Sequence, residues 1–310
     1  MKENKPITIF GGTGHYGQRI AKSLLKKDIP VRILTRNPDK ARELLGDSVE
    51  LVFGDVLSKE CIINTLKDAS AVIICLSAFT PKLIRQLHAI EQQAVLKIID
   101  EMVKQRIDRL VFLSVYDIRE DLLDRLSVRK LAEVKIASEK YIKSSNLNWT
   151  ILGCPPSYEL FFALLQGKNM VVPGGGKNKI ACVSPDDVGQ ICAQAVLMDD
   201  LKGQRIRMAG PEALSFPEVI QRISGYTGQK IRHISPPLFI INLVSFLVKP
   251  FNPFLRYIYY SLKMMNNFPE DLVTKNSEDH KRLLRTFNYL PINFNKEIEN
   301  RYLALHDEIR

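Results

Sequence analysis

Directly behind the short β-branched and apolar run Ile7–Phe10 stands Gly11-Gly12-Thr13-Gly14-His15-Tyr16-Gly17, with glycines at 11, 14 and 17. Few local patterns constrain a chain as much. Gly11 and Gly14 permit a tight turn at the end of a strand, and Gly17 permits a helix to pack hard against it. The segment from 7 into the helical pattern His15–Lys27 therefore reads as strand, turn, helix.

The pattern repeats. Val31–Leu34, Val49–Val52, Ala71–Leu76 and Leu110–Ser114 are further runs without clean alternation, as expected of strands covered on both faces. Helical segments separate them at Pro38–Leu45, Lys59–Leu66 and Pro81–Gln105, and another is expected at Leu126–Ser145. Strands are expected at Trp149–Cys154, Ala181–Ser184 and Arg205–Ala209, a loop at Gly174–Gly176, and a helix at Pro185–Met198. Past Gly210 the chain turns mostly helical, and Ser215 with Glu218 has capping-box spacing ahead of Val219–Tyr226. The fold class expected is α/β: a Rossmann doubly wound parallel sheet with a smaller, mostly helical C-terminal lobe. The expected boundaries are 1–155 and 178–210 for the Rossmann domain, and 156–177 and 211–310 for the lobe.

In that context the glycine loop reads as a dinucleotide site, its phosphates meeting backbone amides at the positive end of the first helix. Gly11, Thr13, Gly14, His15, Tyr16 and Gly17 would form it, with His15 shaping the turn. The second strand ends in Thr35-Arg36, where an NAD site would carry an acid for the ribose hydroxyl. Arg36, helped by Lys40, would pair with a 2′-phosphate, so NADP(H) is expected over NAD(H); the alternative is a solvated charge at a helix entry. Asp55, with Val56, either accepts a bond from the adenine side or is a turn residue ahead of a helix capped by Ser58. Leu76 and Ser77 should pass the ribose on the nicotinamide side.

Gly11–Gly17, Thr35-Arg36, Gly54-Asp55-Val56, Phe112-Leu113-Ser114, Glu133 through Lys135 and Glu139 to Leu152, Lys179–Gly189 and Gly210–Ser215 together resemble the NmrA-like family of atypical short-chain dehydrogenases/reductases. The resemblance implies a Rossmann fold, NAD(P) binding and a C-terminal substrate lobe. It covers reductases of quinones and other small molecules, and also cofactor-binding redox sensors or assembly factors without known turnover. Short-chain reductases commonly use a Tyr four residues before a Lys; here Lys135 is present and Leu131 stands where the Tyr would be. Ser114 matches the family's serine, and Tyr116 is a possible source of a phenol. Lys135 has three readings: a ribose ligand, a general acid/base as in isoflavone-reductase-like relatives, or an exposed helix lysine supported by Glu139. The Arg-Pro that family members carry is replaced by Gly153-Cys154-Pro155-Pro156, leaving Pro155 to border the nicotinamide face. Reduction of a quinone needs little proton chemistry from the protein, so an NADPH-dependent oxidoreductase acting on a lipophilic small molecule remains the expectation, with the sensor or assembly factor as alternative.

The five cysteines have no paired spacing and read as reduced thiols. The histidines are scattered, which predicts no metal site. The opening MKENKPITIFGG has no secretory pattern, so a cytoplasmic protein is expected. A net charge of +10 is spread along the chain rather than gathered in a nucleic-acid module, so the expected partner is a small substrate or a regulatory protein, not nucleic acid. One stretch stands apart. Val219–Pro269 contains no Asp or Glu, six Lys or Arg, and two apolar runs. The part from 237 to 266 is either a hydrophobic lid over a substrate pocket or a surface for contact with the inner face of an anionic membrane.

Overall fold

The computed structural model describes residues 5–307; residues 1–4, read above for a secretory pattern, and the His306 side chain lie outside the described part. By its internal contacts the chain divides into two compact units. The first comprises 1–118, 132–154 and 185–207; the second 119–131, 155–184 and 208–310.

The first unit is built on a seven-stranded, all-parallel sheet of β1 (Ile7–Phe10), β2 (Val31–Thr35), β3 (Val49–Phe53), β4 (Ala71–Ile74), β5 (Arg109–Val115), β6 (Asn148–Cys154) and a late strand, Gln204–Arg207. Going across, β3-β2-β1 lie on one side of the fold's centre, and β4-β5-β6 and the late strand on the other. The order reverses between β1 and β4, so the crevice of a doubly wound sheet opens beyond their carboxyl ends. β1 and β4 are buried at every residue, which is why their side chains do not alternate in polarity.

Helices α1 (Gly17–Leu25), α2 (Pro38–Leu45), α3 (Lys59–Leu66), α4 (Ala94–Lys104), α6 (Glu133–Ser144) and α8 (Pro185–Ala195) belong to this unit. Two begin on side-chain caps. Asn37 accepts from the Lys40 amide with Pro38 at the first helical position, and Ser58 accepts from the Cys61 amide. α1 and α8 pack closely because Gly189 faces the Arg19 backbone; a Cβ there would lie 2.8 Å from it.

Three expectations need correction. The helix expected over Pro81–Gln105 is a 3₁₀ turn (Ile84–Gln86), a π turn (Ala89–Gln93) and then α4. The apolar stripe persists, but the π turn brings Glu91 into the interior. The helix expected over Leu126–Ser145 is broken because Ser127 adopts φ +54°. α5 (Glu120–Arg125) ends before it, and a 3₁₀ turn at Arg129–Leu131 precedes α6. Ala181–Ser184 is not a strand; Val183 makes one isolated bridge to Ser157, and Ile180 makes one to Leu214.

The second unit holds a small sheet that its short strands concealed in the sequence: β7 (Leu165–Gln166), β8 (Asn169–Val171) and β10 (Arg232–Ile234), the late strand of the first unit being β9. Around it lie α5, α7 (Glu159–Ala163), α9 (Phe216–Thr227), α10 (Leu238–Leu247), α11 (Pro253–Asn266), α12 (Glu270–Thr286) and α13 (Phe294–Asp307). Its core is aromatic. Tyr158, Phe161, Phe216 and Phe294 are fully buried, with ring centres 5.2–5.3 Å apart for three of the pairs. α9 begins on the expected capping box of Ser215 and Glu218. Burial raises the Glu218 carboxyl, but Lys179 and the Ser215 backbone and hydroxyl outweigh this and bring it down to about 2.

Candidate cofactor and active site

The glycine loop sits at the carboxyl end of β1, beside the end of β4. Gly11 has φ +93°, and a Cβ on it would lie 2.8 Å from the Cys75 carbonyl oxygen. The Gly14 amide donates to the Gly11 carbonyl at 2.9 Å and closes the turn. Gly17 opens α1 so close to that turn that a Cβ would lie 2.1 Å from the Gly11 oxygen. No acidic side chain lies in the first turn of α1, and no side chain caps it. A helix start of this kind favours an anion, because the helix dipole is positive there. The loop therefore fits the diphosphate of a dinucleotide. Tyr16 and His15 are placed differently from the glycines. The Tyr16 phenol hydrogen-bonds the Cys154 thiol and the His15 ring lies edge-on to Tyr16, 4.8 Å away. The His15 carbonyl accepts from Arg19, which pairs with Asp186 at 3.4 Å. Thr13 is half-buried in the loop.

At the end of β2 the Thr35 hydroxyl accepts from the Asn37 amide at 3.1 Å, so it shapes the entry to α2. Arg36 projects outward, its side chain 58% exposed, with its guanidinium 3.7 Å from Asp55. Lys40 is exposed on the first turn of α2. Of the two readings of Asp55, the turn is visible: one carboxylate oxygen accepts from the Leu57 amide at 2.9 Å, ahead of the Ser58 cap. The other oxygen faces Arg36. Val56 is half-buried beside them.

The chemistry-bearing group beyond β4 centres on Lys135 of α6. Its ammonium donates to the Leu76 carbonyl at 3.0 Å, pairs with Glu91 at 2.9 Å and stands 5.2 Å from the centre of the Phe112 ring. The Lys135 and Glu91 side chains are 10% and 6% exposed. The exposed-lysine reading therefore fails, and Glu139 does not support Lys135; it pairs instead with Arg205 at 3.0 Å and Lys143 at 3.1 Å. The other Glu91 oxygen accepts from the Ala78 amide at 2.6 Å, and the Ser138 hydroxyl donates to the Glu91 backbone carbonyl at 2.9 Å. Glu91 thus fixes both the lysine and the segment that follows β4. Ser77, in that segment, is exposed.

Glu91 was not among the sequence candidates, because an acid in an amphipathic helix is normally read as solvent-facing. A signal was present: at helical spacing it falls on the stripe of Leu87, Val95 and Ile98. Arg205 was missed as well. It donates to the Val115 and Tyr116 carbonyls at 2.8 and 3.1 Å and neutralises Glu139. Burial would raise the Glu139 carboxyl, but Arg205, together with Ser114 and Lys143, holds it below its ordinary value.

Ser114 and Tyr116 therefore belong to this second network. Ser114 is buried beside Glu139, one helical turn along α6 from Lys135, and Tyr116 is buried with its ring centre 5.8 Å from the Arg207 guanidinium. Pro155 follows β6 directly, is buried, and is counted with the second unit. Cys75 and Cys154 keep some exposed surface, but their sulfurs are enclosed. Burial pushes both thiols up to about 12, with Lys135 opposing at Cys75 and Tyr16 opposing at Cys154. Thiols in this state are poor nucleophiles. All five cysteines are free.

Residues 11–199 match the model of the NAD(P)H-binding family. In sequence the chain is similar to a photosystem II assembly factor of Trieres chinensis, 25% identical over 245 residues that make up 77% of this chain and 74% of that one. In structure it is similar to an NADPH-dependent quinone oxidoreductase from Escherichia coli complexed with NADPH, with a TM-score of 0.73 and 16% identity over 96% of this chain and 99% of the other. A Citrobacter sp. triphenylmethane reductase complexed with NADP(H) gives the same TM-score at 17% identity, over 95% and 99% of the two chains. The glycine loop, its place at the reversal of strand order, and the match running from Gly11 through α8 lead to one assignment: the chain belongs to the NAD(P)H-binding family.

Proposed function

We infer that this protein is an NADPH-dependent oxidoreductase acting on a lipophilic small molecule such as a quinone. The observation that carries the reading is the anchored Lys135 beside the crevice, held by Glu91 and the Leu76 carbonyl. Two of its three N–H donors are used in those contacts, and the third serves a ribose hydroxyl of the cofactor. The loop from Gly11 to Gly17 receives the diphosphate, and the Leu76-Ser77 segment borders the ribose. Bound there, the nicotinamide supplies a hydride. Lys135 positions the ribose, and no tyrosine is available at position 131 to protonate a ketone, which suits an acceptor such as a quinone that takes its protons from water. The names of the quinone and dye reductases of like fold agree with that substrate class.

Preference for NADPH over NADH rests on Arg36. Its guanidinium is exposed at the end of β2, where an acid would be needed for an unphosphorylated ribose, and Lys40 lies on the adjoining turn. On binding, Arg36 exchanges its long contact with Asp55 for a charge-assisted bond to the 2′-phosphate. Arg36→Ala is expected to weaken NADPH binding by about 1.5–3 kcal/mol and NADH binding by less than about 0.5 kcal/mol, measured by calorimetry. Equal losses for the two nucleotides would remove Arg36 from the site.

A second reading is a cofactor-binding redox sensor or assembly factor. It is favoured by Leu131 at the tyrosine position and by the similarity to the photosystem II assembly factor. NADPH oxidation in the presence of a panel of quinones and aldehydes separates the two. The first reading expects acceptor-dependent oxidation with quinones. Tight NADPH binding with no oxidation by any acceptor would transfer the conclusion to the second.

A further inference from the structure

Helix α10 carries most of its apolar surface outward. Its polar side chains face its neighbour α11: Arg256 donates to the Asn242 side-chain carbonyl at 2.6 Å and to the Ser245 hydroxyl at 3.3 Å. Ser245 is the most enclosed residue of α10, at 1% exposure. Leu238 and Ile241 pack against the core of the second unit, but the larger part of the apolar surface points away from it. Phe239, Leu243, Phe246 and Leu247 are 56–69% exposed, and Phe251, in the turn that follows, is 85% exposed. A surface helix of a soluble protein has the opposite arrangement. The orientation is also fixed. The Arg256 guanidinium is held by the Tyr260 hydroxyl at 3.1 Å and by the Tyr259 and Tyr260 rings, each centred 4.9 Å away. Rotating α10 to bury its phenylalanines would strip Arg256 of both partners on that helix.

Contiguous apolar surface held outward in this way marks a docking face. The charge around it identifies the occupant. From Val219 to Pro269 there is no carboxylate side chain. Lys249, just past the end of α10, is exposed, as are Lys230 and Arg232 of the same acid-free stretch. An apolar face with an exposed lysine just past its end, in a stretch of sequence that carries cations and no acid, complements an anionic bilayer, whose headgroups attract lysine and repel carboxylates. α10 has ten residues, about 15 Å of helix, against a hydrocarbon core of about 30 Å. No helix among the described residues is long and apolar enough to cross a membrane. The contact therefore lies in the plane of the interface.

We propose that α10 and Phe251 form a membrane-docking face that seats the chain on an anionic bilayer surface, with Phe239, Leu243, Phe246 and Leu247 entering the acyl boundary and Lys249 among the headgroups. The proposal uses only the second unit and is independent of the cofactor assignment. It is tested by sedimenting the full chain with vesicles of phosphatidylcholine containing about one-third phosphatidylglycerol at low salt. Binding is expected there, with partition into pure phosphatidylcholine at least about tenfold weaker. The double variant Phe246→Glu with Leu247→Glu should lose more than about tenfold in partition, because a charged side chain at the boundary reverses its transfer. Its thermal midpoint and its NADPH affinity should match the parent, since both side chains are exposed. No sedimentation with anionic vesicles, or equal sedimentation of the variant, overturns the proposal. A lipid-free dimer that the same substitutions dissociate, without vesicle binding, also overturns it in favour of a second copy. Vesicle binding by a chain that ignores NADPH would leave this proposal standing and remove the cofactor reading alone.

Discussion

Glu91→Ala is expected to reduce the free energy of unfolding by about 3–5 kcal/mol, measured by denaturant titration of the cofactor-free protein. The change removes one half of an enclosed ion pair and leaves the Lys135 ammonium, 10% exposed, with only the Leu76 carbonyl and the Phe112 ring. It also leaves the Ala78 amide without its acceptor, a loss of about 1–3 kcal/mol for a buried donor. Glu91→Gln should cost less, because an amide oxygen still accepts from Ala78. Combining Glu91→Gln with Lys135→Met should recover most of the stability, because no buried charge then remains unpaired. Function should not follow stability in that pair. The double variant, stable but without the ammonium, is expected to bind NADPH about tenfold more weakly, a loss of about 1.4 kcal/mol. If Glu91→Ala unfolds within about 1 kcal/mol of the parent, the pair is not enclosed and Lys135 is not anchored.

Gly17→Ala is expected to weaken NADPH binding by more than about 100-fold, or about 2.7 kcal/mol. The added carbon would lie 2.1 Å from the Gly11 oxygen and 2.7 Å from the Gly12 Cα, both backbone atoms with no rotamer to yield. α1 must then back away from the turn, so the fit of the loop and of the positive helix end to a diphosphate is lost. Overpacking of this kind also lowers stability by about 1–3 kcal/mol. Gly225→Ala is the control. That glycine lies in α9, and a Cβ there would meet nothing within 4 Å, so alanine should stabilise by about 0.5–1 kcal/mol and leave binding unchanged. Calorimetric titration of both variants reads the difference. Gly17→Ala binding NADPH within about threefold of the parent would mean that the diphosphate does not sit on this loop.

How much of this was legible in advance depended on the range of the interactions. β1, α2 and α3 have the bounds their sequences announce, because each is fixed by neighbours a few residues away: an apolar run, an Asn37-Pro38 start, a Ser58 cap. The glycine loop was legible for the same reason. The expectation of NADPH rests on a feature of the same local kind, a basic residue in place of an acid at the end of β2. Lys135 was visible as a candidate, but its three roles were indistinguishable until burial was known. Glu91, 44 positions earlier in the chain, reaches it only through the π turn. Ser114 and Tyr116 kept their strand positions yet entered a network organised by Arg205, which no spacing rule links to them.

Sequence alone determined the parallel sheet, the nucleotide-type loop and the acid-free apolar stretch, because patterning over a few residues sets secondary structure and local turn chemistry. Only the tertiary structure decided that Lys135 is enclosed and paired rather than solvated, and that α10 presents its apolar face outward. Both depend on partners distant in the chain, Glu91 in the first case and Arg256 in the second, and burial and orientation are set by such contacts rather than by any property of the residue itself.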